Sequence, residues 1–329
     1  MQINLYIKKG KKDCHEAITA EPSLDFEGIF NVTTAAYSSY CVEMTWAYPD
    51  EAVSEEKVLY MAENQIANAG ISDNICLAYP VAAVYDKNMQ FVGYMYPKVF
   101  EQSIALTTLT TYQRRPMSKM KRFADKPAWH DKYERDEKGM KNRLKLLYNI
   151  TKALHIIPQH CVPVYLSPDE IFITASGKVT IGKLHLSELC QAGKLIHPLR
   201  CVKSEYLSAE GRKRFGTDVP MTQSAALFAY AVIFYQVLTG THPYSGTVLK
   251  APYDKCVEVS QCIDNNLFAF GQRSEYISFP TGLNLHQAFN TLHPYIQALF
   301  KRAFSSDNSS RPSLEEWGKG LYECIVAMK

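Results

Sequence analysis

The 329-residue sequence contains no apolar run of about 18 residues, the length a membrane-spanning helix needs. Its opening stretch, Met1 to Lys12, turns basic with no apolar segment and no small-residue cleavage site behind it, so neither a membrane span nor a signal peptide is expected. The nine cysteines form no CxxC pair and share no repeated spacing, and their number is odd. This argues against a disulfide framework and for reduced thiols in a cytoplasmic setting. Cys256 and Cys262 are the closest pair, but without a second pair or neighbouring His ligands, small buried hydrophobes are a better reading than zinc ligands. Charge of one sign is also lacking, because 36 Lys and Arg against 33 Asp and Glu leave a formal +3.

That balance is uneven along the chain. Arg114 to Lys145 holds 12 basic and 5 acidic residues, a local +7, which leaves 3 − 7 = −4 for the remainder. A solvated linker and the exposed face of a helix are favoured over an anion-binding or nucleic-acid surface, so nucleic acid is not expected as a partner.

What is present is a β-rich beginning and a helical end. Ile3 to Lys8 alternates, and Ile29 to Thr33 and Tyr40 to Trp46 read as further strands. Ser54 caps a helix whose first turn carries Glu55 and Glu56, with Val58, Leu59, Ala62 and Ile66 at helical spacing and Gly70 as its stop. Strands follow at Leu77 to Tyr85 and Phe91 to Tyr96, the second ended by Pro97. Asn142 to Ile157 reads as an amphipathic helix, and Ser224 to Leu238 as one apolar nearly all round and therefore buried. Pro294 to Phe304 and Ser313 to Met328 read as the last helices, with Ser313 and Glu316 as a capping box.

Between the first two of those four helices lies HCVPVYLSPDEIFITASGKVTIGKLHLS, His160 to Ser187. Leu166-Ser167-Pro168 is loop-like, Ile171 to Thr174 and Val179 to Ile181 are strands, and Ser176-Gly177 is the turn between them. His155, His160 and His185 are close in sequence but lack ligand spacing, so no metal is expected.

Several separate stretches resemble the divergent bacterial Ser/Thr protein-kinase-like group that occurs beside phosphatases and von Willebrand A proteins. Phe91 to Val99 looks like that group's strand entering the interlobe hinge. Gln236 to Gly246 looks like the end of its central helix. Phe304 to Trp317 is similar to the segment that supplies a structural Arg. Together the resemblances span about residues 21 to 325. They imply an α+β, two-lobed kinase-like fold: a small β-rich N-lobe with one main helix at 1–97, a hinge and basic connecting segment at 98–140, and a larger, mainly helical C-lobe at 141–329. They also imply a structural pair between Glu210, at the position of the Ala-Pro-Glu glutamate, and Arg311.

The same resemblance leaves the chemistry unfilled. It puts Tyr165 at the catalytic-base Asp, Glu170 at the metal-binding Asn, Lys183 at the metal-binding Asp and Glu43 at the phosphate-binding Lys. Ala226 stands where an Asp braces the catalytic loop, and only Gly28 remains of the Gly-rich loop. Met95 falls on the strand at the nucleotide cleft. A tyrosine phenol, with an unperturbed pKa of about 10, is no base near neutral pH. A lysine has donors only and cannot ligate a cation. Glu43 would repel a triphosphate, by about 4 kcal/mol for like charges 4 Å apart at an effective dielectric of 20. The two reversed charges, Glu43 and Lys183, can pair across a closed cleft, with Lys57 as the competing partner for Glu43.

The expectation is therefore a pseudokinase with no cofactor, weak or absent Mg-ATP binding, no metal, and a regulatory or scaffolding role. Its partners would be proteins, such as the kinases, phosphatases or von Willebrand A proteins found with the group. The alternative is a phosphotransferase or nucleotide-binding regulator with non-standard chemistry.

Overall fold

Leu5 and Ile7 point to one side of the first strand and Tyr6 and Lys8 to the other, and the apolar side is buried, with Leu5 4% and Ile7 1% exposed. A computed structural model shows what covers them. It describes residues 2–10, 14–24, 26–47, 49–51, 53–64, 72–111, 117–120, 123, 126–282 and 284–328. In chain order the first elements are β1 (Ile3–Lys8), β2 (Glu16–Pro22), β3 (Ile29–Val32), β4 (Tyr40–Met44), α1 (Glu55–Glu63), β5 (Ile75–Leu77), β6 (Ala82–Tyr85) and β7 (Phe91–Pro97). Six of these strands close into an antiparallel barrel in the order β1-β2-β3-β4-β7-β6. Its interior holds Leu5, Ile7, Ile18, Ala20, Val32, Val42, Met44, Val84 and Met95.

This corrects the expected fold. The chain is α+β, but its N-terminal part is not the open-sheet lobe of a two-lobed kinase-like protein. The cause is β1, which pairs with β2 along one side (Leu5 opposite Ile18) and with β6 along the other (Tyr6 opposite Tyr85), so the sheet has no free edge. Helix α1 lies outside the barrel, where Val53 and Val58 pack with Ala83, Tyr85, Tyr94 and Tyr96. Ser54 caps it, accepting the Lys57 N–H at 3.3 Å. It ends at Glu63, and the expected stop at Gly70 lies outside the described residues. The single strand expected at Leu77 to Tyr85 is two strands in different sheets, because β5 lies outside the barrel and pairs in parallel with the strand at Val179–Ile181.

The remaining elements are β8 (Ile104–Ala105), α2 (Thr107–Thr110), α3 (Pro127–Tyr133), α4 (Glu137–His155), β9 (Cys161–Val162), β10 (Ile171–Ile173), β11 (Val179–Ile181), β12 (Glu188–Gln191) and β13 (Lys194–His197). After these come α5 (Ala209–Arg214), α6 (Gln223–Thr239), β14 (Val248–Leu249), α7 (Val259–Asp264), β15 (Ile277–Ser278), α8 (Gln287–Asn290), α9 (Pro294–Ala303) and α10 (Leu314–Ala327). The described residues thus include ten α-helices. Strands β10 and β11 form the hairpin, extended into a four-stranded sheet by β8 and β5, and β9, β12 and β13 make a second small sheet beside it.

Helix α6 is buried on every side, capped by Thr222 and ended by Gly240 at φ 82°. Around it Tyr235, Phe268, Phe289, Phe300, Phe304 and Trp317 form one aromatic core. Ser313 and Glu316 close the capping box at the head of α10.

Two buried histidines lock the loop after α6. The His242 Nδ1 accepts the Tyr244 N–H at 3.2 Å while its Nε2 meets the Glu205 carbonyl at 2.9 Å. The His286 Nε2 meets the Ser245 carbonyl at 2.7 Å, and its Nδ1 faces the Tyr235 hydroxyl at 2.6 Å. Because its Nδ1 accepts a backbone N–H, the His242 ring fits only as a neutral imidazole with the proton on Nε2, and the His286 Nε2 likewise donates its proton to the Ser245 carbonyl. Burial pushes His242 down to about 4 and also holds His286 below the usual range. An unfolded chain would protonate both near pH 6.5, so it binds more protons than the folded chain below that pH. Stability is therefore full above about pH 6.5 and is lost as pH falls toward 4, by about 1–3 kcal/mol. Melting curves from pH 7.5 to 5 check this, and a melting temperature that stays flat across the range would count against it.

Candidate functional site

The loop ahead of the hairpin is held by its own side chains. Ser167 caps the short turn Pro168–Glu170, and the Glu170 Oε2 takes the Ser167 N–H at 2.9 Å and its hydroxyl at 2.6 Å. Lys203, from the segment after β13, reaches back across this turn. Its Nζ donates to the Ser167 Oγ at 2.8 Å and to the Asp169 Oδ2 at 2.5 Å, and lies 3.4 Å from the Glu170 Oε1. Partial burial opposes ionisation of Asp169, but the bonds from Lys203 and Thr107 outweigh it and hold the carboxyl below its usual range. The same contacts raise Lys203 against its own burial. Glu170 is thus committed to closing the loop.

Tyr165 is 3% exposed and its hydroxyl donates to the Gly182 carbonyl at 2.7 Å. Burial first, and the Glu170 carboxylate second, hold this phenol well above the normal range, so it stays protonated. The chain then makes a left-handed turn at Lys183, φ 51° and ψ 34°, which starts the short turn Leu184–Leu186 and sends His185 inward to 1% exposure. The Tyr94 hydroxyl from β7 lies 2.8 Å from the His185 Nδ1. Burial, then the charges of Lys57 and Lys183, keep this imidazole far below its ordinary pKa.

On the barrel, Glu43 is 6% exposed and sits in register between Ile29 and Tyr94. Met95, on the opposite face of its strand, belongs to the barrel interior. Gly28 is at φ +72°, and a Cβ there would come within 2.1 Å of the Ala47 Cβ, so close packing in a left-handed turn requires glycine. Lys57, weighed above as a partner for Glu43, gives a hydrogen bond to the Ser187 carbonyl at 2.7 Å. Burial lowers its pKa to about 8.

Farther away, the structure brings Glu210 and Arg311 together. Arg311 grips the Glu210 carboxylate with both terminal nitrogens and gives further bonds to the Ser224 carbonyl at 2.8 Å and the Asn308 Oδ1 at 3.1 Å. The three histidines lie apart: His160 meets the Tyr79 hydroxyl at 3.1 Å, His185 meets Tyr94, and His155 is exposed at the end of α4. Among the described residues no cluster of three or more His, Cys, Asp or Glu could hold a metal ion.

Tyr165, Glu170 and Lys183 therefore lie in one loop-and-hairpin unit, and Lys57 meets that unit from α1. Sequence reasoning did not find Lys203, whose partners are 33 to 36 residues away with no motif to mark them. No known family model matches the chain, and no curated protein matches it. No helix among the described residues is long and apolar enough to cross a membrane.

Proposed function

We propose that the chain works by binding other proteins, as a regulatory or scaffolding protein with no phosphoryl transfer of its own, the part a pseudokinase plays. The observation that supports this best is the fate of Tyr165: a buried, protonated phenol whose hydroxyl is spent on the Gly182 carbonyl. A group in that state accepts no proton from a substrate hydroxyl, which is what phosphoryl transfer to an alcohol asks of this position. Glu170 is spent in the same way on Ser167 and Lys203. The loop's polar groups hold its shape. The partners are proteins, with kinases, phosphatases and von Willebrand A proteins suggested by the resemblance, and the setting is cytoplasmic.

The test is thermal melting with and without Mg-ATP, followed by mass spectrometry of the incubated protein. A ligand at a hundred times its dissociation constant stabilises by about 2.7 kcal/mol, which a melt reads easily. No shift and no added mass are expected. Transfer of any nucleotide-derived group to protein would overturn the proposal in favour of a phosphotransferase with non-standard chemistry. A shift without transfer keeps the non-catalytic role and makes the nucleotide its signal.

A further inference from the structure

Where α1 meets the hairpin unit there is a small cavity of about 40 Å³, lined by Val53, Ser54, Lys57, His185, Leu186, His197, Pro198 and Arg200. Two of these residues are cations, two are imidazoles, and no carboxylate is among them. A buried water needs roughly 10–15 Å³, so the space holds about three to four waters, close to the four oxygens of one tetrahedral oxyanion and far too small for a nucleotide.

The donors suit that ligand. The Lys57 ammonium is only 7% exposed and carries three protons, while its one hydrogen bond among the described residues is to the Ser187 carbonyl. Ser54 adds the N-terminal end of a nine-residue helix. Arg200 and Pro198 are exposed at the rim, so whatever carries the anion can lie outside. The nearest acids do not line the space. Glu188 acts on Lys57 but takes the Met221 N–H at 2.5 Å, and Glu56 acts on His197 from the adjacent position of α1. Burial is the main cause that lowers Lys57 and His197, and the positive charges of this pocket (Arg200 on Lys57, Lys57 and Arg200 on His197) add to it, an arrangement that an anion would relieve.

We propose that this cavity binds a phosphate-class oxyanion, with Lys57 and Arg200 as its charged donors and His197 as the third, the phosphoryl group coming from a free phosphate monoester or from a phosphorylated protein. The site goes beyond the protein-binding role and does not depend on it.

The test is calorimetric titration of the full chain with inorganic phosphate and, in a second arm, with a phosphoserine peptide and its unphosphorylated form. Saturable binding of phosphate is expected, together with a shift of the His197 ring resonances. A charged hydrogen bond is worth enough that Arg200→Gln should weaken binding by about 10- to 100-fold. Arg200 is exposed, so that variant should fold. Lys57→Met should abolish binding, and if it fails to fold, His197→Asn takes its place. A phosphopeptide that binds much more tightly than phosphate identifies a protein-borne group, and equal affinities identify a free one. The proposal is overturned if neither probe saturates, or if binding is unchanged in Arg200→Gln and His197→Asn.

Discussion

Arg143→Met is expected to destabilise the chain by about 4 kcal/mol or more, a large share of the 5–15 kcal/mol typical of a folded domain. Arg143 is 3% exposed in the middle of the helical part and has no carboxylate in hydrogen-bonding contact among the described residues. Its partners are backbone carbonyls: Leu109 at 2.8 Å, Val237 at 2.9 Å and Tyr133 at 2.6 Å. Each belongs to the last turn of a different helix, α2, α6 and α3, where carbonyls have no intrahelical partner. Arg135 extends the arrangement, giving Nη1 to the Leu238 carbonyl at 3.1 Å and Nη2 to Leu109 at 3.3 Å.

The negative ends of three helices thus do for Arg143 what a carboxylate does elsewhere. Burial, with repulsion from Arg135, pushes its pKa down to about 9, which still leaves it charged at neutral pH. Methionine fills much of the space but orphans the Val237 and Tyr133 carbonyls, at about 1–3 kcal/mol each, and removes the charge that the helix ends stabilise. Urea unfolding of the variant against Arg302→Met gives the comparison, since that change removes an exposed ion pair with Glu316, worth about 1 kcal/mol or less, and an exposed bond to the Ser310 carbonyl. If the two variants unfold at the same urea concentration, Arg143 is not the tie between these helices.

The second large effect is expected at Arg311→Ala, at about 3–5 kcal/mol, the usual cost of removing one partner from a buried pair. The Arg311 side chain is 4% exposed and that of Glu210 20%. Arg311 joins α5, through Glu210, to the first turn of α6, through Ser224, and its guanidinium lies 5.2 Å from the centre of the Phe228 ring. Alanine leaves a carboxylate with reduced access to water and no cation beside it, held only by its bonds to the Ser208 hydroxyl and the local backbone. Glu210→Gln should cost less, because the amide keeps one acceptor for the guanidinium. Unfolding of both single variants and the double variant checks this, since a coupling energy near zero would mean that the two residues act separately.

Much of the helical part is legible because its signals are local. An apolar helix at Ser224 to Leu238 with Gly240 behind it, and Ser313 three residues ahead of Glu316, are patterns within one or two turns of chain. The barrel is not legible in this way. Its closure rests on Tyr6 meeting Tyr85, and β1 alternates identically whether its second edge is paired or free. The break between β5 and β6 is hidden because Cys76 to Tyr85 is buried throughout and shows no change of pattern, and Pro80 is the only mark of it. Arg143 is a different case. It stands four residues before Leu147 and seven before Ile150, on the apolar stripe of α4, but the surrounding basic residues make it look like part of a solvated face. At the site, the replacements at Tyr165 and Glu170 are visible in the sequence, whereas the clamp by Lys203 and the cavity beside Lys57 depend on contacts between distant segments.

The barrel's strand order sets a sequence of events during synthesis. The nascent chain makes β1 to β4 first, and these can pair as a meander with two open edges. Tyr85 follows Tyr6 by 85 − 6 = 79 residues, which at about 5–20 residues per second is roughly 4–16 s of translation. Strands β6 and β7 are the last to be made, yet they lie between β4 and β1 in the finished ring. They pair with each other and with both of those edges, and until they are made Leu5, Ile7 and Ile18 line an unfinished wall.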